Sequence, residues 1–291
     1  MVAVPLAYAL HIQGMVSAHA EIMHDRFGDA APAVGDLGAE LAATVLMRRT
    51  HRRYTDRPVP QPLIDTLCCA ALSASSKSDY QQASILQVFD AATRTTLAAP
   101  FPAMPWIGAA PAFLVFLGDT RRMQRLGEMR GHPASNQGLE GFFNAAVDAA
   151  LAMQTFILCA ENAGLGTCPI SVLRNEAPLV AAALHLPPGV FPVAGLCIGW
   201  PADTGHASMR LPPALTLHRD HYDDSALPHA IAAYDTERDA RNPTPPAKQR
   251  AADRFGTVAQ YGWSEDKTRQ SAQGEGAAFP LWLRQQGFTF D

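Results

Sequence analysis

The sequence has no uninterrupted run of eighteen apolar residues, and nothing in it reads as a membrane span. It also lacks a basic excess. Its 23 Lys and Arg face 27 Asp and Glu, for a formal net charge of −4 and a pI near 6.2. That balance argues against a general nucleic-acid binder, whose domains carry a strong positive surplus. Cysteine is scarce: five residues (Cys68, Cys69, Cys159, Cys168 and Cys197), an odd number, with no C-x-x-C pair. They read as small apolar residues in a reducing compartment rather than a disulfide framework. His218 and His221 form an H-x-x-H, but no helical glutamate or third ligand accompanies them, so no metal site is expected there. The first residues, MVAVPLAYALHIQGMVSAHAEI, have no basic leading region, and His11 and Gln13 interrupt their apolar stretch. An additional helix or an over-extended start is expected there rather than an export signal, with the protein in the cytoplasm.

What is present is ordinary for a folded chain: 291 residues, 48% hydrophobic and 17% charged, enough to bury a large core. Residues 28–36, GDAAPAVGD, read as a small-residue linker after an N-terminal extension, 1–36. The main body then runs over 37–291, with a polar, turn-rich excursion from 214 to 291. LGAELAATVLMRR and LIDTLCCAALSA have helical spacing, broken between them by the prolines of PVPQP. ASILQVFD, APAFLVFLGD (110–119) and VAGLCIGW (193–200) read as strands, the second apolar throughout and therefore central. The longest helix is expected over 140–162, apolar nearly all round, with Gly164 and Gly166 as its C-terminal caps. Interspersed helices and strands around one apolar centre point to a layered α/β or α+β domain.

Against this acidic background, MRRTHRRYTDRPV at 47–59 stands out, because five of the six residues from 48 to 53 can carry positive charge. The run is too short for a nucleic-acid groove, and Tyr54 is its only aromatic neighbour. A small ligand bearing phosphate suits it best, since guanidinium forks match phosphate oxygens; a structural salt-bridge cluster is the main alternative.

RRTHRRYTDRPV, followed by SASSKSDYQQASILQV, resembles the opening of the nitroreductase family of flavin enzymes. AVDAALAMQTFILCAENAGLGTCPISVLRN, LHLPPGVFPVAGLCIGWPAD, RLPP and the closing WSEDKTRQSAQGEGAAFPLWLRQQGF resemble later parts of the same family in the same order. The resemblance covers roughly 37–291 and favours the subgroup of oxygen-insensitive major nitroreductases and NADPH-dependent flavin reductases. It implies an α+β fold with a central mixed sheet flanked by helices, in an intertwined homodimer with FMN at the subunit boundary. Arg48, Arg49, Thr50 and Arg52 resemble flavin-contacting residues, the first two suited to the phosphate and Arg52 to the ring edge. Ser76, Ser78 and Gln81 resemble the serine-rich loop at the flavin's polar edge, here interrupted by Lys77 and Asp79. Ile170 and Ser171 stand where backbone amides approach the flavin, and Arg174 matches an arginine that reaches the phosphate. Arg210 matches the arginine that grips the pyridine nucleotide, preceded here by Ser208-Met209 instead of Lys-Pro. His51 and Arg53 are expected at the surface.

The implied activity is a ping-pong oxidoreductase cycle. NADPH or NADH reduces FMN, and a small-molecule acceptor such as a nitroaromatic, quinone or flavin then takes two electrons. No side chain is expected to act as acid, base or nucleophile. The alternatives are a specialised flavin enzyme acting on one metabolite and a flavin-binding sensor without turnover.

Overall fold

The computed structural model describes residues 21–31, 44–134 and 138–290. Residues 21–27 are helical. Along the chain follow α1 (Gln61–Leu72), β1 (Ala83–Gln87), α2 (Ala91–Ala98), α3 (Trp106–Ala109), β2 (Ala112–Asp119), α4 (Arg121–Arg130) and α5 (Leu139–Asn162). Then come β3 (Gly166–Ile170), α6 (Ala177–Ala183), β4 (Val190–Gly199), α7 (Leu227–Arg241), α8 (Ala252–Phe255), α9 (Trp263–Ser271) and α10 (Phe279–Gln285). They belong to two compact units: Met1–Arg48 with His206–Glu275, and Arg49–Gly205 with Gly276–Asp291.

The second unit is built on a four-stranded sheet in the order β1-β2-β4-β3, every neighbouring pair antiparallel. Among the described residues the sheet is therefore antiparallel rather than mixed; Thr50 adds only an isolated parallel bridge to Thr167. β2 and β4 are interior, as the continuous apolar runs AFLVFLGD and VFPVAGLCIG require of strands covered on both faces. Side chains alternate across the sheet. Leu114, Phe116, Leu196 and Ile198 face α1 and α5, meeting Ile64, Leu67, Ala152, Phe156 and Ile157. Phe113, Val115, Leu117 and Cys197 face the other way, onto Leu97, Ile107, Leu173 and Val180. The rings of Phe116 and Phe156 meet edge to face at 5.9 Å. Cys68, Cys168 and Cys197 are buried free thiols, whereas Cys69 is exposed.

α5 is long and apolar enough to cross a membrane by composition; here one of its faces covers the sheet. It ends at Gly164, whose φ of +82° takes the left-handed turn that lets Gly164 and Leu165 donate back to Glu161 and Ala160. Gly166 is not a cap. It starts β3, a strand hidden in the sequence because GTCPI has low strand propensity and gains order by pairing with β4. A Cβ on Gly166 would lie 2.8 Å from the His51 side chain, so a glycine is needed there. The expected helix over 37–49 is described only from residue 44; it stops at 46, and the arginines follow on extended backbone.

In the first unit, Tyr234 of α7 is buried edge to face against Trp263 of α9, ring centres 5.9 Å apart. Asp235 caps α9 by accepting from the Ser264 N–H at 3.0 Å and from its hydroxyl. Residues 21–31 lie along α7. Gly28, at φ +62°, leaves room for the Glu237 carboxylate, and Arg241 bonds the His24 ring at 3.0 Å.

Phe156→Ala should lower unfolding free energy by about 3–5 kcal/mol, because a fully buried ring leaves a cavity between α5 and the sheet. Urea denaturation that moves by under ~1 kcal/mol would show that α5 does not carry this core.

Candidate functional site

The arginine-rich segment is fastened at several points. His51 N–H donates to the Thr167 carbonyl at 2.9 Å, beside the Thr50–Thr167 bridge. The Tyr54 hydroxyl donates to the His51 carbonyl at 2.6 Å, closing a turn over the segment. Burial, then the neighbouring Cys197 and Cys168, push the Tyr54 phenol far above its usual range, so it stays a donor at every physiological pH. His51 is buried rather than at the surface, because its ring fills the space left by Gly166 and Gly205. Arg53 is exposed, and its Nε meets Asp203 at 2.6 Å. That hydrogen bond, with one from the Gly205 N–H, holds the Asp203 carboxyl below its ordinary value.

These attachments leave the other arginines in distinct settings. The Arg49 stem packs against Gly205, where a Cβ would sit 3.1 Å from its Cδ. Arg52 is exposed, its guanidinium 5.4 Å from the centre of the Trp106 ring. The Trp106 indole Nε1 is buried and has no acceptor among the described residues. A cation and an orphan donor side by side suit an acceptor-rich, anionic partner.

The serine-rich loop forms a second neighbourhood. Ser78, Asp79 and Gln81 all have positive φ, near +51°, +57° and +52°, which is strained for non-glycine residues and marks a tightly specified loop. Buried Asp148 of α5 specifies it. One carboxylate oxygen accepts from Lys77 N–H at 2.9 Å and the other from Gln82 N–H at 3.0 Å. Arg122 of α4 donates to the Gln81 carbonyl and pairs with Asp119 at 3.0 Å. Ser76, Gln81, Arg122 and Asp148 line a cavity of about 230 Å³ between α1 and α5. Asp79 accepts from the Gln81 side-chain amide at 3.0 Å, so in this state Gln81 faces its own loop.

Ile170 ends β3 buried, and exposed Ser171 opens the 3-10 turn Ser171–Glu176. In that turn Arg174 donates to the Val193 carbonyl at 2.5 Å. In the first unit, Arg210 sits within electrostatic reach of Arg48 and Arg238. Burial first, then repulsion from Arg48, lowers its pKa, with Arg238 acting in the same sense. Arg210, Arg238 and Lys267, with Tyr234 and Trp263, line a cavity of about 610 Å³ that, among the described residues, no acidic side chain lines.

Asp148 and Arg122 were not singled out by sequence reasoning. One signal was available for Asp148: it is the only charged residue between Glu140 and Glu161 in an otherwise apolar helix. Arg122 carried none.

An α+β sheet covered by a long central helix, with arginines on one flank and a serine loop pinned beside it, defines a ligand-binding enzyme scaffold. Residues 45–200 match the Nitroreductase family, and the chain belongs to that family. It is similar to an FMN reductase [NAD(P)H] of Bacillus subtilis, 35% identical over 201 residues that make up 68% of this chain and 81% of the relative. An oxygen-insensitive NADPH nitroreductase of Salmonella typhimurium is 34% identical over 192 residues, 65% of this chain and 77% of that protein. Among solved structures, Bacillus megaterium NfrA2 superposes with a TM-score of 0.77 at 31% identity, covering 87% of this chain and 99% of its own. The NADPH:FMN oxidoreductase of Vibrio harveyi, complexed with NAD+, gives 0.74 at 27% identity, covering 86% and 98%.

Asp148→Ala removes the acceptor of two backbone N–H groups and should cost about 2–4 kcal/mol. Hydrogen exchange at the Lys77 and Gln82 amides should accelerate together. Unchanged exchange at both would refute the staple.

Proposed function

We propose that this chain is an FMN-dependent NAD(P)H oxidoreductase that passes two electrons to small-molecule acceptors in a ping-pong cycle. The observation that carries it is the family match over residues 45–200. That stretch holds the arginine segment, the serine loop and the end of β3. The residues fit the cofactor. FMN is a phosphate dianion joined to an acceptor-rich ring system, and the matched stretch supplies guanidinium groups, hydroxyls and the orphan Trp106 donor. Asp148, the one carboxylate lining the 230 Å³ cavity among the described residues, is already engaged by backbone amides. When bound, FMN supplies the redox chemistry, accepting hydride from a nicotinamide and delivering two electrons onward.

The chain's own contribution is binding and electrostatics. Arg48, Arg49, Thr50 and Arg174 would hold phosphate and side-chain oxygens. Arg52 faces the ring edge, where a fixed cation favours a negatively charged reduced ring. Ser76, Ser78 and Gln81 would bond the polar edge, and the backbone amides at Ile170 and Ser171 would approach the ring. Arg210 holds the pyridine nucleotide. The family body runs over 37–291, preceded by the extension 1–36, and the enzyme works in the cytoplasm.

The active form is a homodimer. On α5, Leu139, Phe143, Val147 and Leu151 recur every four residues and are 63%, 58%, 39% and 42% exposed, an apolar stripe on the helix face away from the sheet. A second copy covers it, since a row of this kind is costly to leave in water.

Absorbance of the purified protein tests the cofactor: yellow protein and FMN in the boiled supernatant are expected. NADPH and NADH oxidation with quinone and nitroaromatic acceptors tests the activity. A colourless protein that takes up no FMN and oxidises neither nucleotide refutes the reading; flavin binding without turnover favours the sensor alternative. Arg52→Ala should keep FMN bound and lower its midpoint potential, read by spectroelectrochemical titration; a wild-type midpoint removes Arg52 from the ring edge. Phe143→Glu should give a monomeric mass by light scattering, whereas an unchanged dimer would place the interface elsewhere.

A further inference from the structure

The segment before residue 37 lies outside the family resemblance, yet one of its side chains is buried where two named arginines meet. Arg26 is only 6% exposed. Its Nη1 donates to the Ser208 carbonyl at 2.8 Å and its Nη2 to the Arg48 carbonyl at 2.8 Å. Its own carbonyl accepts from Arg210 N–H at 2.7 Å. One residue therefore ties the backbone at Arg48 to the backbone of Ser208–Arg210. The next residue, Phe27, forms a wall of the 610 Å³ cavity that Arg210, Arg238 and Lys267 also line.

The backbone on the far side of this cavity is fixed as well. Tyr234 donates to the Met209 carbonyl at 3.2 Å, and Arg238 donates to the Tyr234 hydroxyl at 3.0 Å. Two acids on these elements are engaged elsewhere: Glu237 pairs with Arg241 at 2.7 Å, and Asp266 pairs with Lys267 at 2.7 Å and Arg250 at 3.4 Å. Arg210 is thus held by its backbone within electrostatic reach of Arg48 and Arg238. Like charges kept together in this way gain from an anion that bridges them.

We propose that Arg26 is a positioning residue for a phosphate group of a nucleotide cofactor, setting the spacing of Arg48 and Arg210 by linking the Arg48 and Ser208 carbonyls. The proposal rests on the oxidoreductase reading above and deepens it, because it makes part of the chain outside the family region a component of cofactor binding. Two sources supply the same phosphate chemistry, FMN and the pyridine nucleotide. Lysine cannot replace Arg26 fully, since a single ammonium on a flexible stem does not reproduce a planar fork that reaches two carbonyls at fixed separation.

The test compares the wild-type holoenzyme with Arg26→Lys and Arg26→Ala. FMN release on dilution is followed by flavin fluorescence. KM and kcat are measured for NADPH and NADH with FMN in excess, and melting temperature is recorded alongside. A rise of about tenfold in FMN release or in KM, with kcat within about twofold, is expected for Arg26→Ala, with only partial recovery in Arg26→Lys. Movement in the first measurement identifies the flavin phosphate, and movement in the second identifies the pyridine nucleotide. Should Arg26→Ala fail to fold, the same split is required of Arg26→Lys. If only the melting temperature falls, or lysine restores binding completely, Arg26 is a structural brace and the proposal is overturned alone. A wild type that holds no FMN and oxidises neither nucleotide overturns the oxidoreductase reading and this proposal with it.

Discussion

The second unit depends on how one helix divides its surface. α5 carries apolar residues nearly all round, and the sheet covers only part of them. Ala145, Ala149, Ala152, Phe156 and Ala160 are buried, small side chains alternating with one large ring so that the helix lies close to β2 and β4. Close packing of this kind returns dispersion energy only when both surfaces are rigid, which places α5 and the two interior strands in one mechanical body. The opposite face stays exposed at Leu139, Phe143, Val147 and Leu151.

The same helix also carries the one acid that a purely apolar design would exclude. Burying Asp148 is tolerable because both carboxylate oxygens accept backbone N–H groups, and the charge-assisted bonds offset desolvation. The return on that cost is a loop held in backbone conformations that serine, aspartate and glutamine do not choose by themselves. A strained loop fastened to the most rigid element is a sound platform for ligand recognition, because its polar groups need little reordering when a ligand arrives.

Charge is organised locally rather than globally. A chain with formal charge −4 concentrates arginines at a few points and restrains them through backbone contacts: His51 to Thr167, Tyr54 to His51, and in the first unit Arg26 to Arg48 and Ser208. Arginines that were bonded to carboxylates at every position would have no field left for a ligand. Arg53 follows that course with Asp203, whereas Arg52 is set against an aromatic ring instead. This arrangement suits an enzyme whose reactive group is a cofactor and whose protein supplies place and potential.

Continuous apolar runs announced β2 and β4, because a strand that must be covered on both faces has no alternative pattern, and α5 was marked by an apolar run too long for a strand. The arginine cluster was equally plain, since five chargeable residues in six are visible without a fold. The family could be read because its motifs keep their order along the chain. β3 was hidden: its strand state comes from β4, not from GTCPI. His51 reads as one more surface cation, and only its position over Gly166 and Gly205 makes it a core residue. Asp148 and Gln82 are 66 residues apart in sequence and 3.0 Å apart in space, and Arg26 reaches Ser208 across 182 residues. Local pattern determines which segments must be buried and where charge collects. Which distant carbonyl or N–H completes a buried polar side chain depends on how the segments pack, and packing alone decided it.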